Sequence, residues 1–370
     1  MRVGWIFPRN RRCGISLYSR RYLAALSRLC DVEPADPRDF TSNSGDVVPR
    51  LNRCDIVHVQ YEPSLFLDKR RDMYTRIRRV LKPPRVVSLH EVYAEFPWAY
   101  PRNRITGMFL TRPLKRLIYD VRHPYIAAYR RHVRSRFDAR RVVVHCAYQR
   151  DLMIAEGIPP GIIEVLPHPA VSRSVKDTRS WDPSSPLRLC AAGFLNPTYD
   201  YTLLLEVLEG LEQPWDFTWI GGPRGSDDEA LEKWLLAETA GRGWGDRFRI
   251  TGWVDDEHRD RLLDTHHIFC AFFRHRSTSG SIATAISAGM CIVATKLPLT
   301  TELADEFGVL RCAEATPHAI RDMLGRIAAQ PALRSALMSA CGNYVRHYGY
   351  SAMAARQLES YRELTGRAAP

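Results

Sequence analysis

The stretch Arg274-His-Arg-Ser-Thr-Ser-Gly-Ser-Ile-Ala-Thr-Ala-Ile-Ser-Ala-Gly289 joins the residue types that hold phosphate. Ile282, Ala285, Ile286 and Gly289 follow a Ser/Gly turn at the spacing of one helix face, which predicts a helix. Ser279, Gly280 and Ser281 then stand at its N-terminus. Backbone N–H groups and about half a positive charge there suit a diphosphate. An ordinary Ser-capped helix explains the same residues, and for this stretch taken alone it is the simpler reading. Arg276, with Arg274 or with Arg224 of Gly221-Gly-Pro-Arg-Gly225, can add a cation. His90 and Glu91 close one short apolar run, and Glu62 closes another. Ionisable groups in such places can move protons or recognise hydroxyls. Gly14, in Cys13-Gly-Ile15, can let a backbone loop approach a phosphate or can be a plain turn residue.

Other residues that could carry chemistry read more simply. Asp255-Asp256-Glu257 resembles a metal cluster, but helix N-terminal acids explain it better, and no metal ligand set is assigned. Nine cysteines are scattered without a C-x-x-C pair or zinc spacing, so reduced thiols in a reducing cytoplasm are the expectation.

The elements that must position these residues alternate simply. Short apolar runs at 2–7, 55–60, 85–90, 141–145 and 163–166 predict buried parallel strands, with amphipathic helices between. Tyr18, Tyr22, Ala25, Leu26 and Leu29 share one face of the first helix. Pro and Ser residues over 167–186 break the pattern and mark a linker. A second alternation follows, with strands at 187–192, 217–220, 248–251, 268–273 and 291–294. This predicts an α/β chain of two Rossmann-like domains, over 1–170 and 187–345, joined by a linker at 171–186. A closing helix spans 351–364, with Ala354, Leu358 and Tyr361 on one face.

In order and spacing these pieces resemble the retaining GT-B glycosyltransferases of family four, the glycosyl transferases group 1. Asp55-Ile-Val-His-Val-Gln-Tyr-Glu62 looks like one family strand, and Val86-Val-Ser-Leu-His-Glu91 like the strand that bears its active-site histidine. Val165-Leu-Pro-His-Pro169 matches the end of its first domain, and Thr251-Gly-Trp-Val254 its base-binding turn. The stretch from Ser279 through Gly289-Met-Cys-Ile-Val-Ala-Thr295 looks like its diphosphate loop, helix and next strand. The resemblance implies two parallel sheets facing across a cleft, a closing helix that returns to the first domain, and a metal-independent transfer. It implies His90 as the catalytic group and Glu62 and Glu91 on the acceptor side. Gly14, Gly222, Arg224, Trp253, Val254, Arg276, Ser279, Gly280, Ser281 and Thr284 would hold a nucleotide diphosphate sugar. No cofactor beyond that co-substrate is implied.

The sequence departs from the family pattern at its acidic and basic positions. Where the family has paired glutamates, Arg276 and Thr284 stand, and Phe194 and Tyr199 replace its usual Arg and Lys. A catalytically inactive nucleotide-sugar-binding or scaffold protein is therefore the alternative. Sugar-nucleotide epimerisation would need acidic and basic groups that are not in place.

Charge separates the two halves. Residues 1–175 hold 32 Lys+Arg against 16 Asp+Glu, a balance of +16. The rest of the net +12 is −4, so the halves are expected to face different partners. Residues 102–141 carry 12 basic and 2 acidic residues, interleaved with Met108, Phe109, Leu110, Leu114, Leu117, Ile118, Tyr119, Tyr125, Ile126 and Tyr129. That mixture suits an anionic membrane surface or a solvated face with snorkelling arginines. No nucleic-acid-binding motif appears. With no apolar run long enough to span a bilayer, a cytoplasmic chain, peripheral on the inner face of the membrane, is the expectation.

Overall fold

The structure is a computed structural model that describes residues 1–11, 13–41, 45–68, 71–95, 111–173, 181–182 and 184–367, without the side chains of 226 and 227. The chain divides into two units, Met1–His168 with Tyr350–Pro370, and Pro169–Gly349.

Unit 1 contains β1 (Arg2–Ile6), β2 (Asp31–Ala35), β3 (Ile56–Tyr61), the short pair β4 (Leu67–Asp68) and β5 (Arg71–Asp72), then β6 (Arg85–Leu89), β7 (Arg141–Val144) and β8 (Ile163–Val165). Six of these form one parallel sheet in the order β2-β1-β3-β6-β7-β8. Its helices are α1 (Gly14–Leu26), α2 (Val47–Leu51), α3 (Met73–Val80), α4 (Arg112–Arg122), α5 (Pro124–Arg134) and α6 (Ala147–Ala155). The central strands are continuous apolar runs because both faces of a doubly wound sheet are covered. All six residues of β3 are buried, including His58 and Gln60.

Unit 2 repeats the plan. β9 (Leu187–Ala192), β10 (Trp215–Ile220), β11 (Phe248–Ile250), β12 (Ile268–Ala271), β13 (Cys291–Thr295) and β14 (Arg311–Ala313) form a parallel sheet ordered β11-β10-β9-β12-β13-β14. Between the strands run α7 (Tyr201–Glu209), α8 (Ser226–Gly241), α9 (Asp256–Thr265), α10 (Gly280–Ser287), α11 (Pro298–Phe307), α12 (Pro317–Ala329) and α13 (Pro331–Tyr348). Asp255 caps α9 through the His258 amide, and Asp256 and Glu257 occupy its first turn, where acids favour the helix dipole.

The chain then returns to unit 1 as α14 (Tyr350–Thr365), which lies against α1. Ala354, Leu358 and Tyr361 are buried, as their shared face requires. Polar ties fix its register. The Tyr22 hydroxyl donates to the Met353 carbonyl at 2.8 Å, and the Arg141 guanidinium donates to Ser360 Oγ at 2.6 Å. Tyr361 and His58 share a short hydrogen bond through Nδ1, while His58 Nε2 meets Ser88 Oγ at 2.7 Å.

Two readings of apolar residues need correction. Leu29 is 46% exposed, because α1 stops at Leu26 and the chain turns before reaching it. In the basic stretch, Tyr119, Ile126 and Tyr129 are core residues rather than surface ones. Leu114, Leu117 and Val121 do form an exposed stripe on α4, while Met108, Phe109 and Leu110 lie outside the described residues.

Candidate functional site

In unit 2 the loops after β9, β10, β11 and β12 leave the carboxyl edge of the sheet, where open α/β sheets bind ligands. Glycines let these loops crowd together. Gly221 has φ +133°, and a Cβ there would fall 2.2 Å from the Gly193 carbonyl oxygen. A Cβ on Gly222 would approach the Gly252 Cα to 3.1 Å, so the β10 and β11 loops touch backbone to backbone.

Over this seam the Phe194 and Trp253 rings stack at 5.3 Å, and the Arg224 guanidinium carbon lies 5.5 Å from the Phe194 ring centre. Trp253 remains 58% exposed and Val254 is half-buried beside it. Two residues singled out in the sequence, Arg224 and Trp253, are thus joined through Phe194 into an aromatic and cationic layer. An exposed indole face of this kind can stack on a nucleobase.

Ser279 is the N-cap of α10. Its Oγ accepts from the Ile282 amide at 3.3 Å and lies 3.0 Å from Ser281 Oγ. Capping and anion binding are compatible here, because the cap takes the Ile282 amide while Gly280 and Ser281 belong to the turn whose N–H groups lack helical acceptors. The Thr284 hydroxyl donates to the Gly280 carbonyl at 2.9 Å. Its proton is therefore committed, and only its lone pairs can meet a ribose. Arg276 is half-buried, its guanidinium carbon 4.9 Å from the Phe273 ring centre. Arg274 is held by Asp200 at 2.7 Å.

A cavity of about 280 Å³ opens to one side, lined by Pro197, Tyr201, Thr202, Asp228, Trp234 and Arg274. Of the described residues considered for the donor, Arg274 alone is in this lining, and Asp228 accepts from the Arg224 amide at 3.1 Å.

In unit 1, His90 sits immediately after β6 and is buried, its Nε2 2.9 Å from the Gln60 side-chain oxygen. Tyr18 from α1 meets it edge-on at 4.8 Å, and His145, just past β7, lies 5.3 Å away between ring centres. His168 joins through Tyr18 and His145. Burial lowers the His90 pKa well below the usual histidine range, and the neighbouring imidazoles add to the effect. His90 is thus a neutral ring near pH 7, suited to holding a hydroxyl rather than to carrying positive charge.

Glu62 caps the short turn after β3 and accepts from the Tyr93 hydroxyl at 2.8 Å. Burial pushes its pKa up to about 7, a shift that the Tyr93 bond opposes and the nearby Glu91 charge reinforces. It can therefore hold or release a proton near neutrality. Glu91 is half-buried just beyond β6. Gly14 begins α1, outside the left-handed backbone region, and a Cβ there would meet nothing within 4 Å. The fold itself thus does not require glycine at this position.

Sequence reasoning singled out His90 but passed over Tyr18, His145 and His168 as its neighbours. The available signal was that His145, like His90, directly follows an apolar strand.

The glycosyl transferases group 1 family is matched over residues 186–330, the span of the aromatic layer and of α10. Known structures match nearly the whole chain. They include a glycosyltransferase from Rickettsia africae (12% identity, TM-score 0.68, 99% of each chain) and a sucrose-phosphate synthase from Thermosynechococcus elongatus (12%, TM-score 0.71, 99% of each chain). Anabaena HepE in complex with UDP-glucose also matches (13%, TM-score 0.66, 97% of this chain and 100% of the other). The chain has the GT-B fold. No curated protein sequence matches it.

In GT-B terms the two sheets are the two Rossmann-like halves, and the family match falls in the second. Among the described residues no group of three or more His, Cys, Asp or Glu is placed to hold a metal ion. No described helix is long and apolar enough to cross a membrane.

Proposed function

We propose that this GT-B chain is a retaining, metal-independent glycosyltransferase that moves a sugar from a nucleotide diphosphate donor to a glycan, lipid-linked or small-molecule acceptor. The observation that carries the reading is the first turn of α10, at the carboxyl edge of unit 2, inside the segment matched by the group 1 family. The amides of Gly280 and Ser281, with Arg276, offset the charge that develops on the departing diphosphate. Trp253 and Val254 take the base, Arg224 and Gly222 the phosphate side, and Thr284 a ribose hydroxyl through its lone pairs. Gly14, at the start of α1, is assigned to the phosphate groups of the donor. His90 orients the donor sugar, and Glu62 and Glu91 serve the acceptor. HepE, of the same fold, has been seen with UDP and with UDP-glucose, which supports a nucleotide sugar as the donor class.

Arg276 and Thr284 in place of paired acids favour a second reading, in which the protein binds nucleotide sugars without turnover. Incubation with a panel of UDP-, GDP-, ADP- and dTDP-sugars separates the two. Hydrolysis or transfer from any donor supports the enzyme; a thermal shift with a donor but no turnover supports the binder. No shift with any donor removes both.

Unit 1 is further proposed to dock on an anionic membrane surface, in keeping with a cytoplasmic, peripheral location. On α4, Leu114, Leu117 and Val121 are exposed beside Arg112, Lys115, Arg116 and Arg122. The cations supply salt-sensitive attraction and the apolar stripe a salt-insensitive remainder.

A further inference from the structure

Gln60, His90 and His145 stand at the carboxyl ends of β3, β6 and β7, three consecutive strands of the unit 1 sheet. The register pairs Gln60 with Ser88 and Ser88 with Val143, so its continuation sets His90 beside His145. Their ring centres are 5.3 Å apart.

Hydrogen bonding fixes the protons on both rings. His145 Nδ1 lies 3.0 Å from the Leu166 carbonyl, which can only accept, so Nδ1 carries the hydrogen. His145 Nε2 is then a lone pair. The residue is 5% exposed, and Nε2 has no hydrogen-bond partner among the described residues. Its backbone is equally fixed, the amide donating to the Gln149 side-chain oxygen at 2.7 Å. Gln60 shows the opposite deficit. Its side-chain oxygen takes the His90 Nε2 hydrogen, and its buried Nε2 donor has no partner among the described residues. His90, donating through Nε2, keeps a lone pair on Nδ1.

Buried polar atoms are nearly always satisfied. An acceptor and a donor left over at the ligand-binding edge of one sheet define the chemistry that completes them. A hydroxyl group fits, because it donates to a lone pair and accepts from an amide. An anion fits poorly, because its ionised oxygens cannot donate to His145 Nε2. A proton on that ring would reconcile it with an anion, but burial lowers the His145 pKa to about 4.

We propose that His145 and Gln60 form a hydroxyl-recognising subsite of unit 1 that orients a sugar ring, with the Tyr18 and His168 rings as its walls. This deepens the glycosyl-transfer reading and rests on it for the identity of the ligand as a sugar. His145 acts here as a positioning residue.

The test uses the full chain labelled with ¹⁵N-histidine and titrated with glucose, galactose, mannose, UDP, UDP-glucose and inorganic phosphate. His145→Asn keeps a group able to donate to Leu166 and removes the outer acceptor, whereas His145→Gln restores an acceptor near Nε2. The His145 Nε2 resonance should move toward the protonated-nitrogen range with at least one free hexose or with UDP-glucose, and stay in place with UDP and phosphate. Sugar-dependent affinity should fall about fivefold in His145→Asn and recover in His145→Gln, the scale of one hydrogen bond. UDP affinity should match across all three proteins. Unchanged sugar affinity in His145→Asn, a response to phosphate alone, or no response to any sugar overturns the proposal. Sugar binding lost in His145→Asn in a protein that turns over no donor keeps the subsite and defeats the enzyme reading instead.

Discussion

Acidification should destabilise unit 1 through its buried imidazoles. Burial lowers the pKa of His58 to about 3 and of His145 to about 4, and puts His90 well below its ordinary value. Each folded pKa lies below the unfolded one, so protons bind the unfolded chain first as pH falls. The stability these groups contribute is complete above about pH 6.5 and is lost progressively toward the folded values. Between about pH 6.5 and 5.5 each histidine costs about 1 kcal/mol, hence about 3 kcal/mol for the three. Glu62 works in the opposite sense. Its folded pKa of about 7 lies above the ordinary 4.5, so protonation favours the folded state as pH falls, returning about 1 kcal/mol over that interval. Glu164, also raised by burial, adds in the same direction. The net loss is about 2 kcal/mol, equivalent to roughly 4–8 °C for a unit of this size. Urea titrations at the two pH values, read by hydrogen-exchange mass spectrometry on unit 1 peptides, measure it. Glu62→Gln should enlarge the loss toward about 3 kcal/mol, and His145→Gln should shrink it toward about 1 kcal/mol. A midpoint that is flat or rises toward acid, or an unchanged loss in His145→Gln, would refute the reasoning.

Gly221→Ala places a methyl group 2.2 Å from the Gly193 carbonyl at a φ of +133°, so urea unfolding should show a loss of at least about 2 kcal/mol in unit 2. Arg276→Ala should weaken nucleoside diphosphate binding by about tenfold but leave nucleoside binding within about twofold, measured by calorimetry; equal losses would assign Arg276 to packing against Phe273. Tyr361→Phe strands His58 Nδ1 in the core and should cost about 1–3 kcal/mol by thermal melting, whereas an unchanged melt would show that the short bond contributes nothing. Leu117→Asp with Val121→Asp should abolish the part of anionic-vesicle co-sedimentation that survives high salt, and wild-type protein that ignores anionic lipid at low salt would leave α4 as a solvated face.

The strands legible in the sequence are those buried on both faces, such as Val57, Val59, Val86, Val87, Val142 and Val143, because such strands must be continuous apolar runs. Both sheets have edges that were not legible. β2 reads Asp-Val-Glu-Pro-Ala and β14 reads Arg-Cys-Ala, and an edge strand tolerates charge and proline because one side makes no ladder bonds. The Ser/Gly turn before α10 was visible because capping leaves a local signature. The commitment of the Thr284 proton to Gly280, and the meeting of His90 with His145, follow from helix geometry and strand register, which residue types alone do not record. Phe194 was noted only for replacing an expected arginine, yet it joins Trp253 to Arg224.

α14 gives the two units different histories on the ribosome. Unit 2 is one continuous segment, Pro169–Gly349, synthesised in full before α14 begins. Unit 1 is split, and its α1 face, the His58 pair and the Arg141 tie are completed only by Met353, Ser360 and Tyr361, which follow the whole of unit 2 in the chain. The usual order of domain completion, N-terminal first, is therefore inverted. Until α14 has emerged, the half that starts first must wait with Tyr22 and His58 lacking their α14 partners, and a stop shortly after Gly349 would leave unit 2 tethered to an unfinished partner.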